Sequence, residues 1–231
     1  MLLSADIPAL YAGFDAPIAA LDCGKKCAPY NRGVPVCCDT LHAVPTAYKP
    51  EWDYLQANTG LWHLWQHDDP GEVTRLQAEA GLDLTLIECQ GYERCQREFR
   101  SIVCRAFPFF PYLDSGERML GLSYYWEYED YCWAISNLQI VSAEFRAQFI
   151  ETYKALFAHV PGERETFASH SAEMRQVFEK DRRAIPLLHC NGAAYEISPG
   201  DERMRRVRVD SFPRLGPYVR QLRNQRYLSL R

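Results

Sequence analysis

SAEFRAQFIETYKALFAHV, residues 142–160, is the stretch on which the fold class turns. Phe145, Phe149, Ile150, Tyr153, Leu156 and Phe157 recur at helical spacing and line one apolar stripe, with Ser142 placed to cap the start. Pro161-Gly162 ends it, and a further helix is expected over 163–182. On its N-terminal side, RMLGLSYYWEYEDYCWAIS (118–136) is rich in aromatic and branched residues and reads as strand or hairpin. On its C-terminal side, 193–197 reads as a short strand and 217–227 as a basic final helix. Helices and short strands mix without βαβ alternation. The expected class is therefore α+β: helix-rich, with a short antiparallel sheet and irregular cysteine-bearing loops. The division expected is a cysteine-bearing region over 1–140 and a helical region over 141–231 packed on it as one unit.

Further upstream, residues 1–22 read as an ordered lead-in with a short helix. Residues 50–80 read as mostly helical, broken at Pro70-Gly71 and ending near Gly81. In GLWHLWQHDDP (60–70), His63 and His67 would share one face if helical, a geometry that can chelate a metal. The commoner reading is two surface histidines, and no glutamate follows His63 to complete a metalloprotease motif. Glu127, Glu129 and Asp130 in the aromatic stretch could line a pocket, or face solvent from a strand.

The bulk composition is that of an ordinary globular chain: 231 residues, 47% hydrophobic and 24% charged. No apolar run approaches the ~20 residues of a membrane helix. The N-terminus has no basic region to open a signal peptide. The expectations are a cytoplasmic protein with no membrane or nucleic-acid partner. The charge is uneven. The formal net charge is -4, yet residues 203–231 hold nine arginines against Asp210 alone. That segment is either paired within the chain or offered to an acidic protein partner.

Nine cysteines remain, and they are grouped. DCGKKCAPYNRGVPVCCDT (22–40) holds Cys23, Cys27, Cys37 and Cys38 in a stretch where Gly24, Pro29, Gly33 and Pro35 forbid long regular elements. A second block, 82–114, holds Cys89, Cys95 and Cys104, and Cys132 follows. In a reducing compartment, thiols serve as buried apolar groups, nucleophiles or soft metal ligands, and grouping favours ligands. Cys132, in its aromatic setting, reads as a ligand or a buried thiol. Cys190 reads as a plain core cysteine more often than as a ligand.

The order C-x3-C, then CC, then Cys104-Arg105-Ala106-Phe107-Pro108 resembles the YkgJ-type cysteine-cluster family, whose members are described as zinc- or iron-chelating. Arg100, Cys104, Arg105, Phe107 and Pro108 match its second block, Ser101 stands where a proline is usual, and the gap of nine residues before Cys37 is longer than in many members. The likeness spans roughly 20–135. It implies a metal centre held by Cys23, Cys27, Cys37, Cys38, Cys89, Cys95, Cys104 and Cys132. Arg100 and Arg105 would stand beside it. Relatives by motif resemble a flagellin lysine N-methylase, so an enzyme is one implied alternative, although no glycine-rich nucleotide loop is present.

Zinc and an iron–sulfur cluster are both open. Adjacent Cys37 and Cys38 suit one zinc ion poorly, because the ring through their shared peptide is strained. A cubane tolerates irregular spacing and needs only four of the thiolates. Lys25, Lys26, Arg32, Arg94, Arg97, Arg100 and Arg105 could offset its charge. The reading leans to a 4Fe–4S cluster with a redox or electron-transfer role. Zinc, structural or catalytic, is the alternative.

Overall fold

In the computed structural model, residues 1–81 and 83–220 are described. The N-terminal lead-in forms helix α1 (Ile7–Gly13), followed by the short α2 (Gly24–Cys27) in the first cysteine block. Strand β1 (Thr46–Tyr48) runs directly into α3 (Lys49–Asn58), with Pro50 inside the first turn, where its missing N–H costs nothing. Strand β2 (Trp62–Leu64), helix α4 (Pro70–Ala80) and strand β3 (Leu84–Cys89) follow. β3 pairs antiparallel with both β1 and β2 to make a three-stranded sheet.

The expectation of helix through most of 50–80 is thus corrected over its middle. Trp62–Leu64 pairs with β3 as a strand instead, with Trp62 buried and His63 and Leu64 exposed, and Pro70 cannot continue a helix from before it. Pro70 proves to be the first residue of α4, with the Asp69 carboxylate accepting from the Gly71 amide at 2.8 Å. Gly81 ends that helix at φ 88°.

The second cysteine block ends in α5 (Ile102–Ala106) and passes into β4 (Phe109–Leu113), β5 (Met119–Tyr124), α6 (Ala143–His159) and α7 (Glu163–Lys180). Ser142 caps α6 as its sequence position suggests, its hydroxyl accepting from the Phe145 amide at 3.0 Å. Then come β6 (Ile185–His189), β7 (Ala194–Ile197) and β8 (Met204–Val207). β4 to β8 form one antiparallel sheet in sequence order. Gly121 is required where β5 meets β6, since a Cβ there would lie 2.2 Å from the Leu188 carbonyl oxygen.

The α+β expectation holds. The five-stranded sheet draws β4 and β5 from before residue 140 and β6 to β8 from after it, so that position is no boundary of the sheet. One face, with Phe110, Tyr112, Leu187 and Ile197, packs on Met174 and Phe178 of α7. The opposite side, with Phe109, Leu122 and Leu188, joins a larger core of Phe145 and Phe149 from α6, Ile7 and Phe14 from the N-terminus, and Ile87 and Ile102 beside the cysteines. The aromatic stretch is strand only to Tyr124 and then turns through 3-10 geometry at Trp126–Tyr128. The basic final helix read over 217–227 falls largely outside the described residues, which end in a 3-10 stretch at Gly216–Arg220. Among the described residues no helix is long and apolar enough to cross a membrane.

Candidate functional site

The first cysteine block folds back on itself. Gly24 permits this close approach, because a Cβ there would come within 3.1 Å of Pro35 Cγ. Cys23 precedes α2, Cys27 ends it, and Pro35 leads into the 3-10 turn Val36–Cys38. Cys27 and Val36 are buried together with Tyr218, whose hydroxyl donates to the Tyr131 carbonyl at 2.5 Å. The second block arrives from two directions: Cys89 ends β3, and Cys104 sits in α5. Ser101 caps α5 from a fully buried position, accepting from the Cys104 amide at 3.2 Å. Ser101 therefore starts the helical turn that carries Cys104.

The two blocks meet. Cys37 feels the charge of Cys38, Cys104 and Cys23; Cys104 that of Cys38, Cys95 and Cys89; and Cys132 that of Cys23 and Cys27. All eight cysteines read as ligands from the sequence thus belong to one electrostatic neighbourhood, and all are free thiols. Burial pushes the Cys23 thiol up to about 11, and nearby Cys27 adds to it. It takes Cys104 and Cys132 to about 12, against the opposing effect of Arg100 on the first and of the Ile135 amide on the second. Burial likewise raises Cys89, while the Gly91 amide draws it down. Cys37 and Cys38 share a hydrogen at 3.9 Å. That hydrogen raises Cys37 and lowers Cys38.

Of the seven cations the sequence offers, Lys25, Lys26, Arg32, Arg94 and Arg97 are exposed, and Arg32 pairs instead with Asp39 at 3.0 Å. Arg100 is the one that touches a cysteine, its Nε donating to Cys95 Sγ at 3.0 Å. Burial alone would lower the Arg100 pKa, but the Cys104 and Cys95 sulfurs hold it above its ordinary value. Arg105 spends its donors on the carbonyls of Tyr11, Phe14, Glu98 and Arg100 and lies over the Tyr11 ring. It ties the N-terminal helix to the second cysteine block, and its hydrogen bonds reach neither thiol nor carboxylate.

Cys190 corrects an expectation. It is exposed in the turn after β6, 3.5 Å from its neighbour His189, and lies in no core. His63 and His67 do not share a helical face, because His63 is on β2 and His67 in the following loop accepts from the Asp69 amide. Of the acids in the aromatic stretch, Glu127 and Asp130 are exposed. Glu129 accepts from the Tyr124 hydroxyl at 2.9 Å and pairs with Arg183 at 2.5 Å.

A cavity of about 480 Å³ adjoins the cysteines, reached by Cys37 and Cys104 on one side and walled by Phe107, Tyr125 and Tyr128. A second groove, over Trp52, Trp62 and His63, touches none of them. No motif frames His42, which sequence reasoning therefore misses, although it lines the cavity and its carbonyl accepts from the Tyr128 hydroxyl at 2.8 Å.

Among the described residues, no group of three or more His, Cys, Asp or Glu side chains is gathered tightly enough to grip a single metal ion. The donor chemistry nonetheless suits a sulfur-ligated centre: soft thiols, a guanidinium against one of them, and backbone amides directed at Cys89 and Cys132. No family model, curated protein or solved structure matches this chain.

Proposed function

We propose that the chain is a metal-binding protein whose clustered cysteines hold an iron–sulfur centre, with a 4Fe–4S cluster preferred over zinc. The supporting observation is convergence: cysteines from 23–38, from 89–104 and at 132, far apart in the chain, share one electrostatic neighbourhood with Arg100 donating into it. Four thiolates around zinc with bonds of ~2.3 Å stand ~3.8 Å apart at the edges of a tetrahedron. Cys37 and Cys38 meet that spacing, but the strained ring through their shared peptide is unfavourable to joint chelation. The remaining thiols interact through longer-range charge, and separate iron corners take ligands that are farther apart. The likeness of the two blocks to the YkgJ-type pattern, described as zinc- or iron-chelating, supports metal binding by either metal.

When bound, such a centre supplies one-electron chemistry. The chain's part is to neutralise thiolate charge through Arg100, to direct amides at the sulfurs, and to enclose them. A catalytic role is the second reading, favoured by the cavity that reaches Cys37 and Cys104. The cytoplasm is the compartment in which unpaired cysteines of this number persist.

Anaerobic purification with analysis for iron, zinc and acid-labile sulfide tests the proposal. A brown protein whose visible absorption is bleached by dithionite, with iron and sulfide in equal amounts, is expected. Stoichiometric zinc without sulfide would replace the cluster by the zinc reading. A protein that takes up neither metal, even after reconstitution, would sink both.

A further inference from the structure

The cavity beside the cysteines has a composition that selects among ligands. Its volume of about 480 Å³ falls within the ~300–1,000 Å³ typical of small-molecule sites. Its aromatic wall is ordered: Phe107 meets Tyr128 edge-on at 4.8 Å and lies nearly parallel to Tyr125 at 6.4 Å. Such ring faces and edges suit a flat ring. The charged side chains of the lining are one arginine and two glutamates, held in one cluster that leaves no guanidinium free for an anionic ligand. Arg75 holds Glu72 at 2.6 Å and Glu79 at 2.5 Å, which commits the guanidinium and occupies both carboxylates. The Tyr128 hydroxyl is committed to the His42 carbonyl. The Tyr125 hydroxyl, by contrast, makes no hydrogen bond to another described residue, although burial within the aromatic group holds its proton in place.

We propose that this cavity is a binding site for an uncharged, flat-ringed molecule bearing a hydroxyl or carbonyl group, seated on the Phe107–Tyr128 wall against Cys37 and Cys104. The Tyr125 hydroxyl supplies the polar contact. The site stands on the cavity itself. If the cysteines hold a metal, it is also where a small molecule meets that centre.

Titration of the metal-free full-length chain with 2-naphthol, naphthalene and 2-naphthoate tests this independently of any metal. We expect 2-naphthol to bind at one site, and 2-naphthoate at least tenfold more weakly. Tyr125→Phe should weaken 2-naphthol by roughly fivefold, the worth of one hydrogen bond, and leave naphthalene within about twofold. Ala43→Trp, which fills the cavity from its lining, should abolish binding of both. Bound 2-naphthol should slow alkylation of Cys37 and Cys104 and leave Cys132 unchanged, as followed by peptide mass spectrometry. Absence of 2-naphthol binding, binding indifferent to Ala43→Trp, equal affinity for the carboxylate, or uniform alkylation with ligand present would each overturn the assignment.

Discussion

The hydrogen shared by Cys37 and Cys38 makes two neighbouring thiols chemically unlike. Its donation lowers Cys38, helped by Arg100 against the opposing effect of burial, and leaves Cys37 the proton holder. A thiol raised to about 11, as burial makes Cys23, has roughly one molecule in a thousand ionised at pH 8. In the metal-free protein at that pH, Cys38 should therefore react with iodoacetamide at least ~10-fold faster than Cys23, and Cys37→Ala should slow it. Timed alkylation read by mass spectrometry checks both, and equal rates at Cys38 and Cys23 would contradict the assignment of the proton. Glu51 offers a second residue-scale test. It is fully buried and accepts from the Tyr11 hydroxyl at 2.8 Å and the Ile102 amide at 2.7 Å, and burial holds its carboxyl up at about 7. The folded state thus binds this proton more tightly than the unfolded chain, whose value is near the ordinary 4.5. Its contribution is fully present below pH ~4.5 and is lost as the pH rises through about 7, a change on the order of 3 kcal/mol. Urea unfolding of the metal-free protein from pH 4.5 to 8 should show that loss, and Glu51→Gln should flatten it. At this scale the sequence shows which residue types are present but not which ones meet. The motif marks Arg100 and Arg105 alike, and only the approach of β3 and α5 to the first block shows that Arg100 touches a thiol while Arg105 holds carbonyls.

Elements were legible where local chemistry was sufficient. α6 has a capping serine and an unbroken apolar stripe, and α4 has a proline at its start and a glycine at its end, so both could be placed from sequence. β1 and β2 have three residues each, too few to show alternation, and they exist because β3 pairs with both. β4 is hidden for another reason. All five of its residues are buried, so no alternation marks it, and Pro111 argues against a strand except at the sheet edge, where β4 lies. Two caps of the same kind now separate stability from site formation. Ser142→Ala removes the α6 cap and should cost about 1 kcal/mol, without altering the alkylation pattern of the cysteines. Ser101→Ala should cost a similar ~1 kcal/mol and also loosen the turn that carries Cys104, raising the rate at which that thiol is alkylated. Denaturant midpoints and alkylation rates for the two variants give the comparison. A changed Cys104 rate in Ser142→Ala would mean that the caps do not act locally.

At the scale of the whole molecule, the cysteines and the five-stranded sheet draw on different support. Phe110, Tyr112, Met174, Phe178, Leu187 and Ile197 make a core of their own between α7 and the sheet. The first cysteine block rests on a small cluster of Cys27, Val36 and Tyr218 with Tyr128 and Trp133 beside it, only Cys23 of its cysteines packing on the larger core, and its backbone runs through short turns. The charge of the tail is spread in the same economical way. Arg203 pairs with Asp201, Arg205 with Glu196 and Arg208 with Asp210, while Arg214 spends its donors on the Ser136 carbonyl and the Asn137 side chain. If a metal links the two cysteine blocks, its binding free energy becomes stability for the loops it joins and only indirectly for the sheet. Hydrogen exchange of the loaded and metal-free forms should then differ over 22–44 and 89–107, with slower exchange on loading, while β5 to β7 keep their protection in both. A higher unfolding temperature in the loaded form would accompany this. Loss of protection across β5 to β7 on metal removal would instead make the centre a condition of the entire fold, and unchanged exchange at the cysteines would remove them from the metal site.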